Sequence, residues 1–376
     1  MYKKQTGGNL SKDCLFLYII LSEFSIRRDS MNILQIKDRG LEIEELGKLP
    51  EDILELIYEH QLFKLFTAKE LGGKDLDLLE GIKVFQQMSA LDGNFGWLVT
   101  IGTGGNVFIP TLNKEVVEKM FSPKNAVIAG SGYPTGVAEK IDGGYRVTGQ
   151  WKYCSGSNYA TTFTMNCVVE DEGNRTDEII SCSVNRDQVE ILNDWRAMGL
   201  KATASHTIRV QNVWVPQEET FQLGIIKNNY GSTVHSFPFG AFAEASFLSV
   251  CLGITENFLE ESSILVKQRK HDPSRTDRMG AIQFLLMQQQ KNFKQLEERY
   301  YLLLNEYWQK HKEGHKLTEE QLQQFSRISK DTAAACVDIA NSLIRRLGMD
   351  AITETSSINR IWRNLYTAAQ HSFLTP

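Results

Sequence analysis

The chain has 376 residues, of which 42% are hydrophobic and 23% are charged, so it is long enough for two or three packed domains. Its formal net charge of -5 gives no excess of clustered lysine and arginine, which disfavours nucleic acid and anionic membranes as partners. The six cysteines show no Cys-x-x-Cys pair and no zinc-type spacing, which predicts a reduced, cytoplasmic protein without a metal site.

Residues 1–30 differ in character from the rest of the chain. The apolar run from Cys14 to Leu21 is too short to span a bilayer, and the polar segment after it lacks the small-residue cleavage pattern of a signal peptide. We expect residues 1–30 to be an upstream extension without a functional role, with Met31 as the true start. Secretion is the minor alternative.

Residues 31–120 are predicted to form an N-terminal helical domain. Pro50, followed by two acidic residues, is typical of a first helical turn. Apolar residues then recur at helical spacing from Leu78 to Phe85.

Residues 121–217 are predicted to form a small β-barrel or sandwich, because short runs such as GYRVTGQW and HTIRVQNVWV are bounded by Gly, Asn and Asp. One strand carries Trp151, Tyr153 and Ser155 and breaks at Gly156. Residues 129–140 are rich in small residues, which predicts a loop whose amides can approach a ligand.

Residues 218–376 are predicted to form a bundle of long helices, because apolar residues recur at helical spacing, for example from Phe247 to Phe258. Helices on both sides of a strand-rich segment predict an α+β fold.

The residue types at 151, 153 and 155 suit a flavin. The isoalloxazine ring is flat with a polar edge, so aromatic side chains can cover a face while a hydroxyl reaches that edge. The alternative is two core aromatics of a sandwich and a serine in a turn.

Three motifs give the chain a resemblance to the acyl-CoA dehydrogenase superfamily, and within it to the branch of flavin-dependent monooxygenases. They are WKYCSG at 151–156, the run at 195–216 and the run at 360–371. The similarity covers roughly residues 40 to 376 in the right order, which three coincidences would not explain. The resemblance implies an N-terminal helical domain, a central β-domain and a C-terminal four-helix bundle, with FAD, or alternatively FMN, between the β-domain and the bundle.

The resemblance also implies roles for individual residues. Arginine suits a pyrophosphate through bidentate bonds, although a solvated arginine is the alternative at 269. The implied flavin-binding residues are Tyr153, Ser155, Trp151, Gly130, Ser131, Arg269 and Gln283, the last two acting across a subunit interface, and the implied substrate-channel residues are His206 and Trp97.

His371 separates two chemistries within the superfamily. The dehydrogenases remove an α-proton of an acyl thioester with a carboxylate, usually in a C-terminal Tyr-Glu-Gly-Thr run, which this chain lacks. The monooxygenase branch carries a histidine there, where a donor near the flavin can stabilise reactive oxygen in a water-poor pocket. The resemblance makes Ser155 its partner, and the alternative is a histidine packed at a helix end.

Two departures favour other readings. The branch often carries a second histidine after its Asp-Gly-x-x-Gly-Trp run, but this chain has Asn106 and no histidine nearby. Glu244 lies on the apolar stripe of a predicted helix, where a carboxylate is costly unless it is paired or catalytic. Glu244 is therefore the rival catalytic base, and its alternative is a glutamate that favours a helix start.

Three functions follow. The favoured one is an oxygenase-like enzyme that takes reduced flavin from a separate reductase and oxidises a small aromatic or sulfur-bearing substrate. The rival is an acyl-CoA dehydrogenase that uses Glu244 and passes electrons to an electron-transfer flavoprotein. The third is a flavin-binding protein without catalysis. The resemblance implies a homotetramer in each case.

Overall fold

The computed structural model describes residues 35–269 and 276–375. The predictions for residues 1–30 lie outside this range. The described chain runs from helices through strands to helices, so the predicted α+β composition is confirmed. The predicted domain boundaries at 120 and 217 stay predictions.

Short helices build the N-terminal part. The Asp77 side chain caps the third of them and forms a capping box with Glu80, and the Asp92 side chain caps the fourth by accepting hydrogen bonds from two backbone N–H groups. The second begins directly after Pro50, as the sequence predicts. Within residues 35–121 the α-helices are α1 (Gly40–Leu46), α2 (Glu51–Glu59), α3 (Leu78–Leu91), α4 (Gly93–Gly104) and α5 (Lys114–Phe121).

Seven strands form one sheet in the order β5-β6-β2-β1-β3-β4-β7, in which β1 and β3 are parallel and every other neighbouring pair is antiparallel. Two hairpins, β1-β2 and β3-β4, account for much of the antiparallel pairing. The strands are β1 (Ile128–Ile141), β2 (Gly144–Cys154), β3 (Thr162–Asp171), β4 (Asn174–Asn185), β5 (Glu190–Ile191), β6 (His206–Pro216) and β7 (Thr220–Phe221).

The prediction of a loop at 129–140 is wrong. These residues lie within β1, where they pair with β3, and the pairing register shifts between Ser131 and Gly136. Small residues are tolerated here because the irregular strand brings backbones together: a Cβ at Gly130 would lie 2.2 Å from the carbonyl oxygen of Thr164.

Long helices form the C-terminal part, and the first of them is central. This helix packs against α3 and α4 and against the three helices that follow it. Length and composition alone would let this helix cross a membrane. However, 78% of its apolar 18-residue stretch is buried inside the protein, as in a core helix. The α-helices in the described part of this region are α6 (Phe239–Arg269), α7 (Thr276–Lys312), α8 (Glu319–Ile344) and α9 (Ser357–Ala368).

A buried ion pair fixes α9 against the N-terminal helices. Arg363 donates from Nη2 to Oε1 of Glu44 at 2.6 Å and from Nη1 to Oε2 at 3.0 Å. Nη1 also donates to the carbonyl of Met198 at 2.6 Å, and the Asn364 side chain accepts from the amide of Leu200 at 2.7 Å. Glu44 of α1, the segment 198–200 and α9 are therefore held together at one place.

Candidate functional site

A chain of buried hydroxyl groups lies where β2 ends. The Oγ atom of Ser155 is 2.7 Å from Oγ of Ser205, which is 2.7 Å from Oγ1 of Thr203. Thr203 in turn donates to the carbonyl oxygen of Leu200 at 2.8 Å. All three hydroxyl residues are buried. Ser155, predicted from the sequence, therefore belongs to a hydrogen-bonded row of three side chains, Ser155, Ser205 and Thr203, which fixes its position. We call these three residues the hydroxyl row.

Unusual backbone conformations create this row. Tyr153, Leu200 and Ala204 adopt positive φ angles of 65°, 50° and 48°, which are uncommon for residues other than glycine. They turn the end of β2 and the segment 200–205 toward each other. The Gly156 amide donates to the carbonyl of Thr203 at 2.8 Å. Such strained conformations concentrate at ligand sites, where the surrounding structure maintains them.

Trp97 joins the hydroxyl row from α4. Its Nε1 donates to Oγ of Ser155 at 2.9 Å. Its ring lies 5.4 Å from the ring of Phe247 and 5.8 Å from that of His371, measured between centroids. Trp97, predicted as a channel residue, thus bridges Ser155 and the C-terminal histidine.

His371 lies among aromatic rings after the end of α9. It stacks on Phe247 with centroids 3.6 Å apart and lies 5.8 Å from Phe373 in a nearly parallel arrangement. Burial lowers the pKa of His371 to about 4, so the ring is neutral near pH 7. Its Nδ1 accepts from the amide of Phe373 at 3.4 Å, which assigns the proton to Nε2. His371 is thus arranged as a neutral donor.

The structure separates the two aromatic residues of β2. Tyr153 is 64% exposed and lies edge-on to Trp195 at 6.4 Å between centroids. Trp151 has no exposed surface, donates from Nε1 to the carbonyl of Asn166, and fills space that side chains at Gly136 and Gly149 would occupy. Trp151 therefore matches the core-aromatic alternative, whereas Tyr153 is available to a ligand.

His206 lies at the start of β6, next to the hydroxyl row. Its Nδ1 accepts from the amide of Trp195 at 3.0 Å, which holds the segment before the row. Burial lowers the pKa of His206 against the opposing effect of Asp194. Gly130 and Ser131 are half-buried on β1.

Arg269 is the last residue of α6, and Gln283 lies on α7. Arg269 donates to the carbonyl of Leu347 at 2.7 Å and pairs with Asp350. Gln283 is exposed on α7 beside Phe284 and Met287, whose side chains are also exposed.

Glu244 faces another part of the bundle. Its carboxylate is buried and bonds to Ser326 on α8, with Lys330 nearby, and burial raises its pKa above the ordinary value despite these two neighbours. Within residues 35–269 and 276–375, no side-chain hydrogen bond joins Glu244 to His371 or Ser155. Glu244 lies one helical turn before Phe247 on α6, the residue that stacks on His371.

Asn106 has a structural role. Its side chain accepts from the amide of Phe66 at 3.3 Å and donates to the carbonyl of Phe63 at 3.1 Å. These bonds occupy both ends of the amide, which is 2% exposed.

Sequence reasoning missed several members of the site. Phe247 appears in the sequence only as one residue of a core stripe, and Phe373 follows the last motif. Thr203 and Ser205 stand in the same short run, TASH, from which only His206 was selected. In residues 35–269 and 276–375, no three or more His, Cys, Asp or Glu residues could together hold a metal ion.

Known proteins share sequence and fold with this chain. Residues 245–376 match the family described as acyl-CoA dehydrogenase, C-terminal domain. The chain is 28% identical over 349 residues to the pigment production hydroxylase of Rhodococcus sp. (strain ATCC 21145), covering 88% of this chain and 87% of that protein. It is 26% identical to the flavin-dependent monooxygenase oxygenase subunit HsaA of Rhodococcus jostii (strain RHA1) over 51% of this chain and 50% of that protein. The resemblance to this superfamily and its monooxygenase branch is thus confirmed, and the relatives agree with the predicted oxygenase-like flavin enzyme.

Solved structures share the fold. The 3-HSA hydroxylase from Rhodococcus sp. RHA1 superimposes with a TM-score of 0.86 at 18% identity, covering 93% of both chains. XiaF from Streptomyces sp. in complex with FADH2 and glycerol gives a TM-score of 0.75 at 19% identity, covering 97% of this chain and 93% of that one. FMN-bound TdsC from Paenibacillus sp. A11-2 gives 0.71 at 17% identity, covering 91% and 92%. This fold therefore accommodates a flavin in two of these neighbours.

Proposed function

We propose that this protein is the oxygenase component of a flavin-dependent monooxygenase system that acts on a small aromatic or sulfur-bearing substrate. The observation that carries the proposal is His371. Its neutral ring, with the proton assigned to Nε2, lies against Phe247 and Trp97, and Trp97 donates to Ser155. The motif that matches a flavin site and the motif that matches an oxygenase histidine thus meet at one indole ring.

The described residues suit a flavin. Tyr153 offers an exposed aromatic face, and Ser155 has a hydroxyl oxygen with an acceptor position left after Trp97 donates to it. Bound in its reduced form, the flavin would supply the electrons that activate oxygen. We propose FAD as the cofactor, with FMN as the alternative, because neighbours of the same fold hold FADH2 or FMN.

Each residue then has a task of its own. Ser155 holds the polar edge of the flavin. His371 donates from Nε2 and, as a neutral ring, does not attract the water shell that an imidazolium would require. Phe247, Phe373 and Trp97 shield part of the His371 ring from water, and in a water-poor site one hydrogen bond is electrostatically stronger than in solvent.

The proposal includes a reductase and an assembly. A separate flavin reductase would deliver reduced flavin, as the oxygenase-subunit name of one relative suggests. We also propose a homotetramer, because apolar side chains are exposed along α6 and α7 at Ile264, Phe284, Met287 and Leu302. The five cysteines in the described residues are buried and free, which supports a reducing, cytoplasmic location.

The test of function is a coupling assay. Reduced flavin, oxygen and a panel of small aromatic and sulfur-bearing compounds are incubated with the protein, and oxidised product and hydrogen peroxide are both quantified. We expect product from some members of the panel, with His371→Ala and Ser155→Ala shifting the oxygen consumed from product to peroxide. Peroxide alone from the wild type across the panel, at the rate of free flavin, would contradict the proposal.

The rival function has a distinct test. Glu244 has the raised pKa that a buried general base requires, so a dehydrogenase remains the second candidate. Acyl-CoA thioesters would reduce enzyme-bound oxidised flavin without oxygen if Glu244 were the base, and Glu244→Gln would stop that reduction.

A further inference from the structure

The hydroxyl row around Ser155 has a direction that neighbouring groups determine. Each hydroxyl group has a single hydrogen, so every bond in the row restricts the next. Thr203 lies 2.8 Å from the carbonyl oxygen of Leu200, which cannot donate. At that separation two oxygens without a hydrogen between them repel, so the Thr203 hydrogen must point at Leu200.

The rest of the row then follows. Because the Thr203 hydrogen is committed, the 2.7 Å contact with Ser205 requires Ser205 to donate to Thr203. The 2.7 Å contact between Ser205 and Ser155 in turn requires Ser155 to donate to Ser205. An indole N–H can only donate, so Trp97 fills one lone pair of the Ser155 oxygen at 2.9 Å.

Ser155 is left with one lone pair and no free hydrogen. It therefore presents an acceptor, and not a donor, to a ligand. Resting on the proposed function, we propose that Thr203 and Ser205 are positioning residues that orient the Ser155 hydroxyl as a hydrogen-bond acceptor for reduced flavin.

The chemistry of the flavin edge makes this orientation selective. N5 of reduced flavin carries a hydrogen and can donate, whereas N5 of oxidised flavin carries a lone pair and can only accept. An oriented acceptor bonds the first and opposes the second. The row would thus favour binding of the reduced form that a reductase supplies and release of the oxidised form after turnover.

The row is well placed to keep its direction. Thr203 is 0% exposed and Ser205 is 5% exposed, so water does not compete for their hydrogens. Leu200, whose carbonyl ends the row, has a left-handed backbone, and its amide donates to Asn364 on α9. The terminal acceptor is therefore fixed by the main chain and by α9.

The test measures the dissociation constants of reduced and of oxidised FAD, the first without oxygen, by equilibrium ultrafiltration of the purified full-length protein. Thr203→Val removes the hydroxyl that accepts from Ser205 and frees Ser205 to reverse. Ser205→Ala removes the acceptor of the Ser155 hydrogen. Either variant alone decides the question, so failure of one to fold leaves the other. Folding is checked by circular dichroism.

In both variants we expect the preference for reduced over oxidised FAD to fall by about tenfold, the effect of one hydrogen bond exchanged for an opposed pair of acceptors. Thr203→Ser keeps the donor to Leu200 and should retain the wild-type preference. Ser157→Ala is the matched control, since Ser157 is a buried neighbouring hydroxyl that donates to the carbonyl of Ala204 and lies outside the row.

An unchanged preference in either folded variant, Thr203→Val or Ser205→Ala, with the wild type still binding FAD, would overturn the positioning role and leave the proposed function standing. A loss of the preference for reduced FAD in Thr203→Ser would also overturn the positioning role. The size of the side chain, and not its hydroxyl group, would then determine the preference. A wild-type protein that binds neither form of FAD nor of FMN would overturn the proposed function, and this inference with it.

Discussion

The imidazole ring of His371 stacks on the phenyl ring of Phe247, with centroids 3.6 Å apart and planes inclined by 23°. The two residues come from different elements, since Phe247 lies on α6 and His371 follows α9. The stack excludes water from one face of the imidazole and contributes to the burial that lowers its pKa to about 4. The position and the protonation state of the histidine are therefore set by the same contact.

Phe247→Leu should distinguish the effect of the aromatic stack from that of hydrophobic packing, because leucine keeps an apolar side chain but has no ring. We expect a loss of about 1 kcal/mol in the free energy of unfolding from the aromatic contact, and a larger share of oxygen released as peroxide because His371 loses its support. Urea unfolding and the coupling assay measure the two effects. Phe258→Leu is the control on the same helix: Phe258 is fully buried, and its replacement should lower stability without changing coupling.

The lowered pKa of His371 predicts a pH dependence of stability. In the unfolded chain this group has a pKa of 6.5, and in the folded protein about 4, so between these values the unfolded state binds more protons. Stability should therefore fall as the pH is lowered from 6.5 towards 4. Thermal unfolding of His371→Gln should show a smaller fall over this window than the wild type.

Burial also lowers the pKa values of His206 and His235. The wild type and His371→Gln should therefore share part of the dependence of stability on pH. The difference between the two curves isolates His371. Parallel curves across the window would show that His371 is not buried as a neutral ring.

The Glu44 and Arg363 pair predicts a large effect on the free energy of unfolding. Both side chains are less than 10% exposed, and removal of one partner leaves a buried charge without its counter-ion. Glu44→Gln should lower the free energy of unfolding by about 3 to 5 kcal/mol, measured in urea. Arg39→Gln, which breaks the surface pairs with Glu42 and Asp52, should change the unfolding midpoint little. Equal effects of the two variants would contradict the buried-pair account.

Asn106 tests whether the missing second histidine can be restored. Asn106→His should not improve coupling, because a ring cannot reproduce the two bonds that the amide makes to the backbone of Phe63 and Phe66. We expect a loss of about 1 to 3 kcal/mol in Asn106→Ala and a comparable loss in Asn106→His. A stable Asn106→His variant with improved coupling would show that the position is catalytic in this chain.

The sequence predicted the parts of the site that depend on local motifs. Ser155 is recognisable because a strand rich in aromatic residues breaks directly after it, and His371 because it ends a helical motif that replaces the dehydrogenase carboxylate run. Trp97 came from the same resemblance. The helical stripe on α6 was also readable, and it placed Phe247 in the core, without indicating which neighbour it would contact.

The remaining parts depend on long-range geometry. The acceptor role of Ser155 follows from the carbonyl of Leu200. The position of this carbonyl requires left-handed backbones at Leu200 and Ala204. Leucine and alanine rarely adopt this conformation, so the sequence does not predict it. Trp151 looks like Tyr153 in sequence, because both have the same residue class and side-chain period. Gly136 on β1 and Gly149 on β2 leave the space in the core that the indole of Trp151 fills.

The most direct test of the account is the rate at which enzyme-bound reduced flavin is reoxidised. Protein loaded with reduced FAD without oxygen is mixed rapidly with oxygenated buffer, and the visible absorbance of oxidised flavin is followed for the wild type and His371→Ala. The account predicts that oxidised flavin returns more slowly in the wild type than from free reduced FAD, and that His371→Ala removes most of the delay. Return at the rate of free flavin in both proteins would contradict a protective role for His371, and with it the oxygenase function.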